Sequence, residues 1–355
     1  GYPAICQNLN RLVCADLNND RKLWDFNVGD IDVLAEPVIT EDRVFQGTTE
    51  GYLYCLNLHG GNLKRIAWKF KAAGSIHTTV TINDGVVYFG ANGGHVYALN
   101  EADGSLIWKS RVDSVEEGAR KHFTVPLVDA GKVYVGAANR QLYCLDAHSG
   151  EIVWQTELTD WVRSMPVMTS KGLFVACVDG RVACVRLDGV IQWSKQVSTH
   201  QFYADLVASE DTVLMADSDL WLHCLDSDGE RLWKRSLLRA YEDEQGERVF
   251  TDALSGGTYY QSKPTASKGK VYFGNPGGFL FCVDAETGKE YWKFEMGEPS
   301  RGVLPSMTER SPPVSKAGNV SSTAWTPKPA RSSGNRPCPG GGYGGPRQRT
   351  TAWCM

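Results

Sequence analysis

The chain has 355 residues, of which 42% are hydrophobic and 22% charged, and this balance excludes collagen-like and wholly disordered proteins. Its 37 basic residues against 41 acidic ones give a net charge of −4, so no basic footprint for nucleic acid is expected. No segment approaches the roughly 18 consecutive apolar residues that a membrane-spanning helix needs, so no membrane insertion is expected.

One sequence unit recurs along most of the chain, and each copy closes on a tryptophan. The seven copies end at Trp24, Trp68, Trp108, Trp154, Trp193, Trp233 and Trp292. Successive tryptophans are 39 to 46 residues apart, except for the last spacing of 59 residues, which an insertion around Arg239–Gly257 lengthens. A repeat of this period indicates one supersecondary unit that is stable only when stacked on its neighbours.

Each unit has the same internal order of short strands and turns. In the fourth copy, a strand near Val125–Val128 precedes two alternating strands, Val133–Gly136 and Gln141–Asp146. An Asp-x-x-Ser-Gly turn then leads to the strand that carries Trp154. Four short antiparallel strands per unit are typical of a propeller blade. The sequence therefore predicts an all-β propeller with seven repeats in frame, and both a seven- and an eight-bladed ring stay open.

The recurring residues predict structural roles before chemical ones. A tryptophan at one fixed position suits packing between neighbouring blades, because its large flat ring carries a single N–H donor. Six of the ten cysteines also share one position, where Ala98 stands in the third copy, which indicates a small buried residue and not a disulfide. These six are Cys14, Cys55, Cys144, Cys184, Cys224 and Cys282.

The pattern [LV]Y[AC]LDAxTGxxxW resembles the tryptophan-docking repeat of the pyrroloquinoline-quinone (PQQ)-like β-propellers, and it covers residues 3 to about 301. That superfamily includes quinoprotein dehydrogenases and the outer-membrane assembly lipoprotein, so the resemblance implies a fold but not one activity. The resemblance implies a propeller domain at residues 1–302. Many members of the superfamily work in the periplasm or at the cell surface. The localisation of this chain stays open.

Catalytic motifs are sparse in this sequence. It contains no G-x-S-x-G, H-E-x-x-H or P-loop motif, and no metal site is predicted. His59, His95, His148 and His223 fall in blade turns or third strands, where surface or filler roles are expected. Quinoprotein dehydrogenases of the family hold PQQ and calcium over the propeller axis with adjacent cysteines and an acidic cluster, neither of which is found here. No cofactor is therefore expected, and whether the chain is an enzyme stays open, with a non-enzymatic role favoured.

Polar and aromatic residues collect near the start of the innermost strand of each unit. Inner strands converge on the central channel of a propeller, so these side chains are candidates for a binding funnel, with ordinary strand-end polarity as the alternative. We call them the funnel set: Asp32, His77, Lys121, His122, Trp161, Arg163, His200, Tyr203, Tyr259, Tyr260, Gln261 and Arg301.

The repeat stops abruptly at residue 303, and residues 303–355 are rich in Pro, Gly, Ser and Arg. One interpretation is a natural disordered tail. We favour a frame-shifted read of a further blade, because codons for Ala324–Asn335 read one base earlier permit Leu-Asp-Pro-Glu-Thr-Gly-Glu-Ile-Ile-Trp-Lys, the repeat signature. The tail is then expected to be poorly ordered, with no role for Cys338 or Cys354, and the coding DNA distinguishes the two interpretations.

The sequence thus favours a non-catalytic binding or scaffold propeller. Its partner is expected to be a protein segment or an extended polymer, held at the channel mouth or in the grooves between blades. The alternative is a quinoprotein dehydrogenase with PQQ and calcium, or a propeller appended to a separate catalytic domain.

Overall fold

The structure, a computed structural model, describes residues 4–8, 11–16, 21–28, 35–59, 65–112, 122–202, 205–209, 212–219, 221–236, 240–242, 248–250, 265–267, 269–274 and 279–295. Every regular element in these residues is a β-strand. The strands form six antiparallel sheets of four, one of three and one of two. The tail at 303–355, including the expected frame shift, lies outside the described residues.

The sheets follow the repeats one for one. Blade 1 contains β1 (Ala4–Asn8), β2 (Arg11–Asp16) and β3 (Arg21–Asn27). Blade 2 contains β4 (Val38–Ile39), β5 (Arg43–Gly47), β6 (Tyr52–Asn57) and β7 (Ile66–Lys71), and blade 3 contains β8 (Thr81–Asn83), β9 (Val86–Ala91), β10 (His95–Asn100) and β11 (Leu106–Arg111). Blade 4 contains β12 (Leu127–Asp129), β13 (Lys132–Gly136), β14 (Gln141–Asp146) and β15 (Ile152–Glu157).

The later blades repeat this order. Blade 5 contains β16 (Val167–Thr169), β17 (Gly172–Ala176), β18 (Arg181–Val185) and β19 (Ile191–Gln196). Blade 6 contains β20 (Val207–Ser209), β21 (Thr212–Ala216), β22 (Trp221–Asp226) and β23 (Arg231–Ser236), and a hairpin of β24 (Ala240–Glu242) and β25 (Arg248–Phe250) lies in the predicted insertion. Blade 7 contains β26 (Thr265–Ser267), β27 (Lys270–Gly274), β28 (Phe279–Asp284) and β29 (Glu290–Glu295). The prediction of an all-β propeller is confirmed.

Neighbouring blades are joined by buried apolar side chains. Between blades 3 and 4, for example, Val96 and Trp108 pack with Val135 and Tyr143. Six such seams link the seven blades in chain order within the described residues. Because blades 2 to 6 bury both faces against their neighbours, their central strands carry near-continuous apolar runs.

The repeat tryptophans lie in these seams and contact the turn of the following blade. Trp108 donates its indole N–H to the Ala147 carbonyl at 2.8 Å, and its ring covers Gly150. Gly150 has φ +73°, and a Cβ added there would lie 2.6 Å from the ring, so both backbone and space require glycine. The same hydrogen bond recurs, with distances of 2.8 to 3.1 Å, at Trp24, Trp68, Trp154 and Trp233. Trp193 likewise covers Gly229 of blade 6.

The docking role that the repeat predicts for Trp292 is not tested, because the residues after Glu295 lie outside the described part of the chain. Its side chain is 42% exposed, against 7% for Trp108, and Tyr291 and Phe294 beside it are exposed as well. Among the described residues, none supplies a following turn for this ring.

The shared cysteine position has a packing explanation. In every blade it pairs across the sheet with the docking tryptophan, as in Cys144 opposite Trp154, and Ala98 does so opposite Trp108. A small residue is needed where the indole takes the space. All six thiols are free and buried, and burial raises the pKa of Cys55 to about 12, so they are unreactive structural residues, as the sequence predicts.

No helix that could cross a bilayer is present in the part of the chain that the structure describes.

Candidate functional site

Five members of the funnel set lie in the described residues: His77, His122, Trp161, Arg163 and His200. The other seven lie outside them, and their placement stays a prediction: Asp32, Lys121, Tyr203, Tyr259, Tyr260, Gln261 and Arg301.

Three of the five meet at one cavity of about 170 Å³, which we call the axial cavity. His77 comes from blade 3, His122 from blade 4 and Arg163 from blade 5. Each residue lies four or five positions before the inner strand of its own blade, so the cavity lies at the inner ends of consecutive blades. The full lining is Ala35, Glu36, His77, Thr78, Thr79, His122, Val125, Arg163 and Asp205.

Sequence reasoning missed Glu36 and Asp205, the two carboxylates of this lining. A signal for them exists in the repeat. Aligning the blades on the start of the inner strand places Glu36, Thr79, Val125 and Asp205 at one equivalent position, two residues before that strand. All four line the axial cavity, so this repeat position identifies the lining where residue type alone does not.

Backbone bonds fix the segments that carry these side chains. The His122 carbonyl accepts the Ala138 N–H at 2.9 Å, and the Trp161 carbonyl accepts the Val178 N–H at 2.9 Å. One blade along, the Asp205 carboxylate accepts the Met165 N–H at 2.7 Å and so links blades 5 and 6 at the cavity rim. The cavity is therefore built on strand-anchored segments.

The two histidines of the cavity are held neutral near pH 7. Burial lowers the pKa of His122 to about 4, with smaller contributions from the positive charges of Arg163 and His77. Burial also lowers the pKa of His77, whose Nδ1 lies 3.1 Å from Nδ2 of Asn92. Since the Asn92 amide nitrogen is a donor, Nδ1 of His77 accepts and the proton of the neutral ring sits on Nε2.

Acid is expected to destabilise the fold through His122. Its folded pKa of about 4 lies below the ordinary value of 6.5, so the unfolded chain takes up the proton first as pH falls. The contribution of the neutral His122 ring to the free energy of unfolding is fully present above pH 6.5. It is lost between pH 6.5 and about 4, which lowers the free energy of unfolding by about 3 kcal/mol. Urea unfolding at both ends of this pH range should show a smaller loss of the free energy of unfolding for His122→Gln than for the wild type. His148→Gln, in an exposed turn, is the control, and an equal loss in all three proteins would contradict the assignment.

Trp161 and His200 lie outside the axial cavity. His200 is exposed, with Nδ1 4.0 Å from a carboxylate oxygen of Asp219. That carboxylate also accepts the indole N–H of Trp221 at 3.2 Å, and Lys234 Nζ lies 4.2 Å from the centre of the Trp221 ring. These residues form a polar cluster on blade 6, separate from the cavity.

His223 has a structural role in the third strand of blade 6 and takes part in a buried hydrogen-bond network. His223 and Asp217 are both fully buried, and Nε2 of His223 donates to the Asp217 carboxylate at 2.8 Å. Ser198 donates to the same oxygen at 2.6 Å, and the Asp219 and Trp221 N–H groups donate to the other. These hydrogen bonds lower the pKa of Asp217, although burial alone would raise it. The serine donates to the carboxylate and not to the histidine, so the arrangement positions a turn and provides no activated nucleophile.

A second depression, of about 490 Å³, lies between blades 3 and 4. Blade 3 contributes Arg111 and Val112, and blade 4 contributes Asn139, Gln141, Tyr143, Ile152 and Gln155. It is a polar groove of the kind that the sequence allowed as an alternative location for a partner.

The described residues do not fit a quinone cofactor with calcium. Calcium takes about 6–8 oxygen ligands, whereas the axial cavity offers two carboxylates among histidines and an arginine. Its volume of about 170 Å³ is also below the roughly 300–1,000 Å³ of typical cofactor pockets. No group of three or more His, Cys, Asp or Glu side chains in the described ranges could hold a metal ion.

Comparison with known proteins agrees with this architecture. The sequence matches the family described as outer membrane protein assembly factor BamB at residues 9–128, 92–249 and 234–320. BamB of Escherichia coli (strain K12) is 31% identical over 302 residues, covering 71% of this chain and 74% of that protein. BamB of Yersinia pestis is 24% identical over 279 residues, covering 70% of this chain but only 60% of the relative's length.

Solved structures share the fold at low identity. The crystal structure of BamB from Moraxella catarrhalis superposes with a TM-score of 0.61 at 17% identity, covering 82% of this chain and 87% of that one. The computationally designed Ika8 protein gives 0.62 at 14% identity, covering 84% and 89%. The sequence matches decide the family, and the chain belongs to the BamB family of PQQ-like β-propellers.

Proposed function

We propose that this chain is a non-catalytic, protein-binding module of outer membrane protein assembly, acting in the periplasm. The names of its relatives, outer membrane protein assembly factors, support the biological setting. The partner is a protein; the extended-polymer alternative has no support in these relatives. The described residues also give no support to the quinoprotein alternative, because the axial cavity fits neither calcium nor a quinone.

We further propose that a segment of the partner is held at the channel mouth, over the axial cavity. The observation that carries this is the convergence of five blades on one polar cavity, with Arg163 and two neutral histidines among its lining. A cavity on the axis can be reached by a loop or chain end, but a folded domain would rest on the rim. The groove between blades 3 and 4 is the second candidate location.

Site-directed photo-crosslinking tests the location. A photo-reactive residue at Val125 in the cavity lining, Gln155 in the groove, or Lys293 on the outer strand of blade 7 reports on three separate surfaces. With the chain expressed in the Escherichia coli periplasm, we expect crosslinks to outer membrane assembly proteins from Val125. Crosslinks from Gln155 or Lys293 alone would contradict the channel-mouth location.

A matched arginine pair tests the chemistry of the site. Arg163→Ala should reduce the Val125 crosslinks severalfold, while Arg186→Ala should not, because Arg186 pairs with Asp188 in an exposed turn between β18 and β19. Thermal melting of both variants separates loss of binding from loss of fold. If crosslinking falls only because Arg163→Ala is unfolded, the result does not support a role of Arg163 in partner binding.

A further inference from the structure

Four exposed cations lie on the outer strands of two consecutive blades. Strand β7 of blade 2 carries Lys69 and Lys71, and strand β11 of blade 3 carries Lys109 and Arg111. No ion pair joins any of the four to a carboxylate in the part of the chain that the structure describes. We call this group the cationic rim. Its charge is opposite in sign to the net charge of −4 of the whole chain.

Aromatic contacts make the cationic rim continuous from blade 2 to blade 3. Lys71 Nζ lies 4.2 Å from the centre of the Tyr52 ring. Phe70 contacts Tyr97 of blade 3, with ring centres 5.6 Å apart, and Lys109 Nζ lies 5.6 Å from the centre of the same Tyr97 ring. Because side chains alternate along a strand, Phe70 and Lys71 point to opposite sides of β7. Ammonium groups therefore lie on both sides of this outer strand.

Arg111 extends the cationic rim into the groove between blades 3 and 4. It lines that groove together with Gln141 and Gln155 of blade 4. The side-chain amides of both glutamines are without a hydrogen-bond partner among the described residues. The groove volume of about 490 Å³ lies within the roughly 300–1,000 Å³ of ligand pockets. A groove with free amides fits a peptide, whose backbone carries donors and acceptors, better than it fits a flat bilayer surface.

The carboxylates beside this surface do not neutralise the cationic rim. Glu157 pairs across the strands with Gln141 and forms an ion pair with Arg140 at 2.9 Å. Glu50 accepts a hydrogen bond from Lys71 at 2.5 Å, but through its backbone carbonyl. Its carboxylate forms no ion pair within the described ranges. The local charge is therefore positive, and charge complementarity favours an acidic partner.

We propose that the cationic rim and the adjoining groove bind an acidic segment of a partner protein. The carboxylates of that segment pair with the four cations, and its backbone contacts the amides of the groove. The surface is separate from the axial cavity, so the proposal goes beyond the proposed function and does not depend on it. Exposed ion pairs are individually weak, but four together are expected to change the affinity by about tenfold or more.

Fluorescence anisotropy of dye-labelled peptides on the whole chain tests the proposal. The first probe is Ala-Glu-Ala-Glu-Ala-Glu-Ala-amide, and the second has glutamine in place of every glutamate. We expect the Glu peptide to bind about tenfold or more tightly than the Gln peptide. Because salt screens exposed charges, this difference should shrink as the ionic strength is raised. Phosphatidylglycerol vesicles are the third probe, for an anionic lipid surface.

Double variants locate the binding surface. Lys69→Gln with Lys71→Gln removes the cations of blade 2, and Lys109→Gln with Arg111→Gln removes those of blade 3. Each pair should weaken binding of the Glu peptide severalfold, because each removes half of the cationic rim. All four side chains are exposed, so both variants should fold, and thermal melting verifies this.

A matched control removes the same charge from another blade. Lys171→Gln with Lys195→Gln changes two lysines of blade 5 that already pair with Asp228 and Glu230. The net charge of this control equals that of either rim variant. Its affinity for the Glu peptide should be that of the wild type, which distinguishes the cationic rim from a general effect of charge.

Three results would overturn the proposal. The first is equal binding of the Glu and Gln peptides, or equal affinity of the wild type and both rim variants. The second is binding of the vesicles without binding of the Glu peptide. The third is peptide binding that appears only after Glu116→Gln with Glu117→Gln, which would make the chain's own acidic segment at 113–121 the occupant. Crosslinks from Val125 report on the proposed function separately, so each proposal can fail alone.

Discussion

Replacing Trp108 by alanine is expected to lower the free energy of unfolding by about 3–5 kcal/mol, the range for large-to-small changes in a core. The indole is 7% exposed, fills the seam between blades 3 and 4, and donates to the Ala147 carbonyl. Its removal leaves a cavity against Gly150 of the following blade. Chemical denaturation followed by far-ultraviolet circular dichroism measures the change.

Trp292→Ala is the matched control within the same chain. It removes the same side chain from the same repeat position, but the ring is 42% exposed. The expected cost is below about 1 kcal/mol, as for exposed positions. Similar destabilisation by both substitutions would show that the docking geometry does not explain the role of the repeat tryptophan.

Replacing Asp217 by alanine is expected to destabilise the chain by about 3–5 kcal/mol, because it breaks a buried pair and strands its partner. His223, Ser198 and the N–H groups of Asp219 and Trp221 all lose their acceptor. Thr48 occupies the equivalent position in blade 2 and accepts the Tyr52 N–H at 3.0 Å, so the position serves to close the turn. Denaturant unfolding near neutral pH gives the comparison with the wild type.

Two further variants distinguish loss of the buried Asp217–His223 pair from a general effect on the turn. Asp219→Ala, two residues on and half exposed, should cost less than about 1 kcal/mol. Replacing Asp217 and His223 together by leucine should cost less than Asp217→Ala alone, since no stranded buried partner remains. A double variant less stable than Asp217→Ala would argue against the buried pair as the cause.

The fold was predictable because the same sequence signature recurs in every blade. Apolar alternation, a polar turn and a closing tryptophan recur seven times, and the observed strands follow that order closely. Predicted Gln141–Asp146 coincides with β14, and predicted Val133–Gly136 differs from β13 by one residue. The docking of Trp292 stays a prediction, because it depends on residues after Glu295, which lie outside the described part of the chain.

The candidate site was predictable only in part, because it lies where different blades meet. Residue type suggested His77, His122 and Arg163, but it gave no reason to separate them from His200, which lies elsewhere. Glu36 and Asp205 were missed, although the repeat position contained them. The hydrogen bond between His223 and Asp217 joins β22 to the turn that follows β21, at positions that the repeat signature does not specify. The rest of the funnel set and the frame-shifted tail stay predictions.

The docking contact is directional: in the described part of the chain, blades 1 to 6 each present an indole on the outer strand, and the turn of the following blade receives it. A unit with two unlike, complementary faces adds to its copies head to tail. Tandem duplication of one such stretch of coding sequence therefore yields a new blade that is compatible with both neighbours from the start. Blade number can change by whole units without redesign of any seam, while residues facing the axis diverge independently. The same contact that stabilises the ring gives this protein a modular route to new central surfaces.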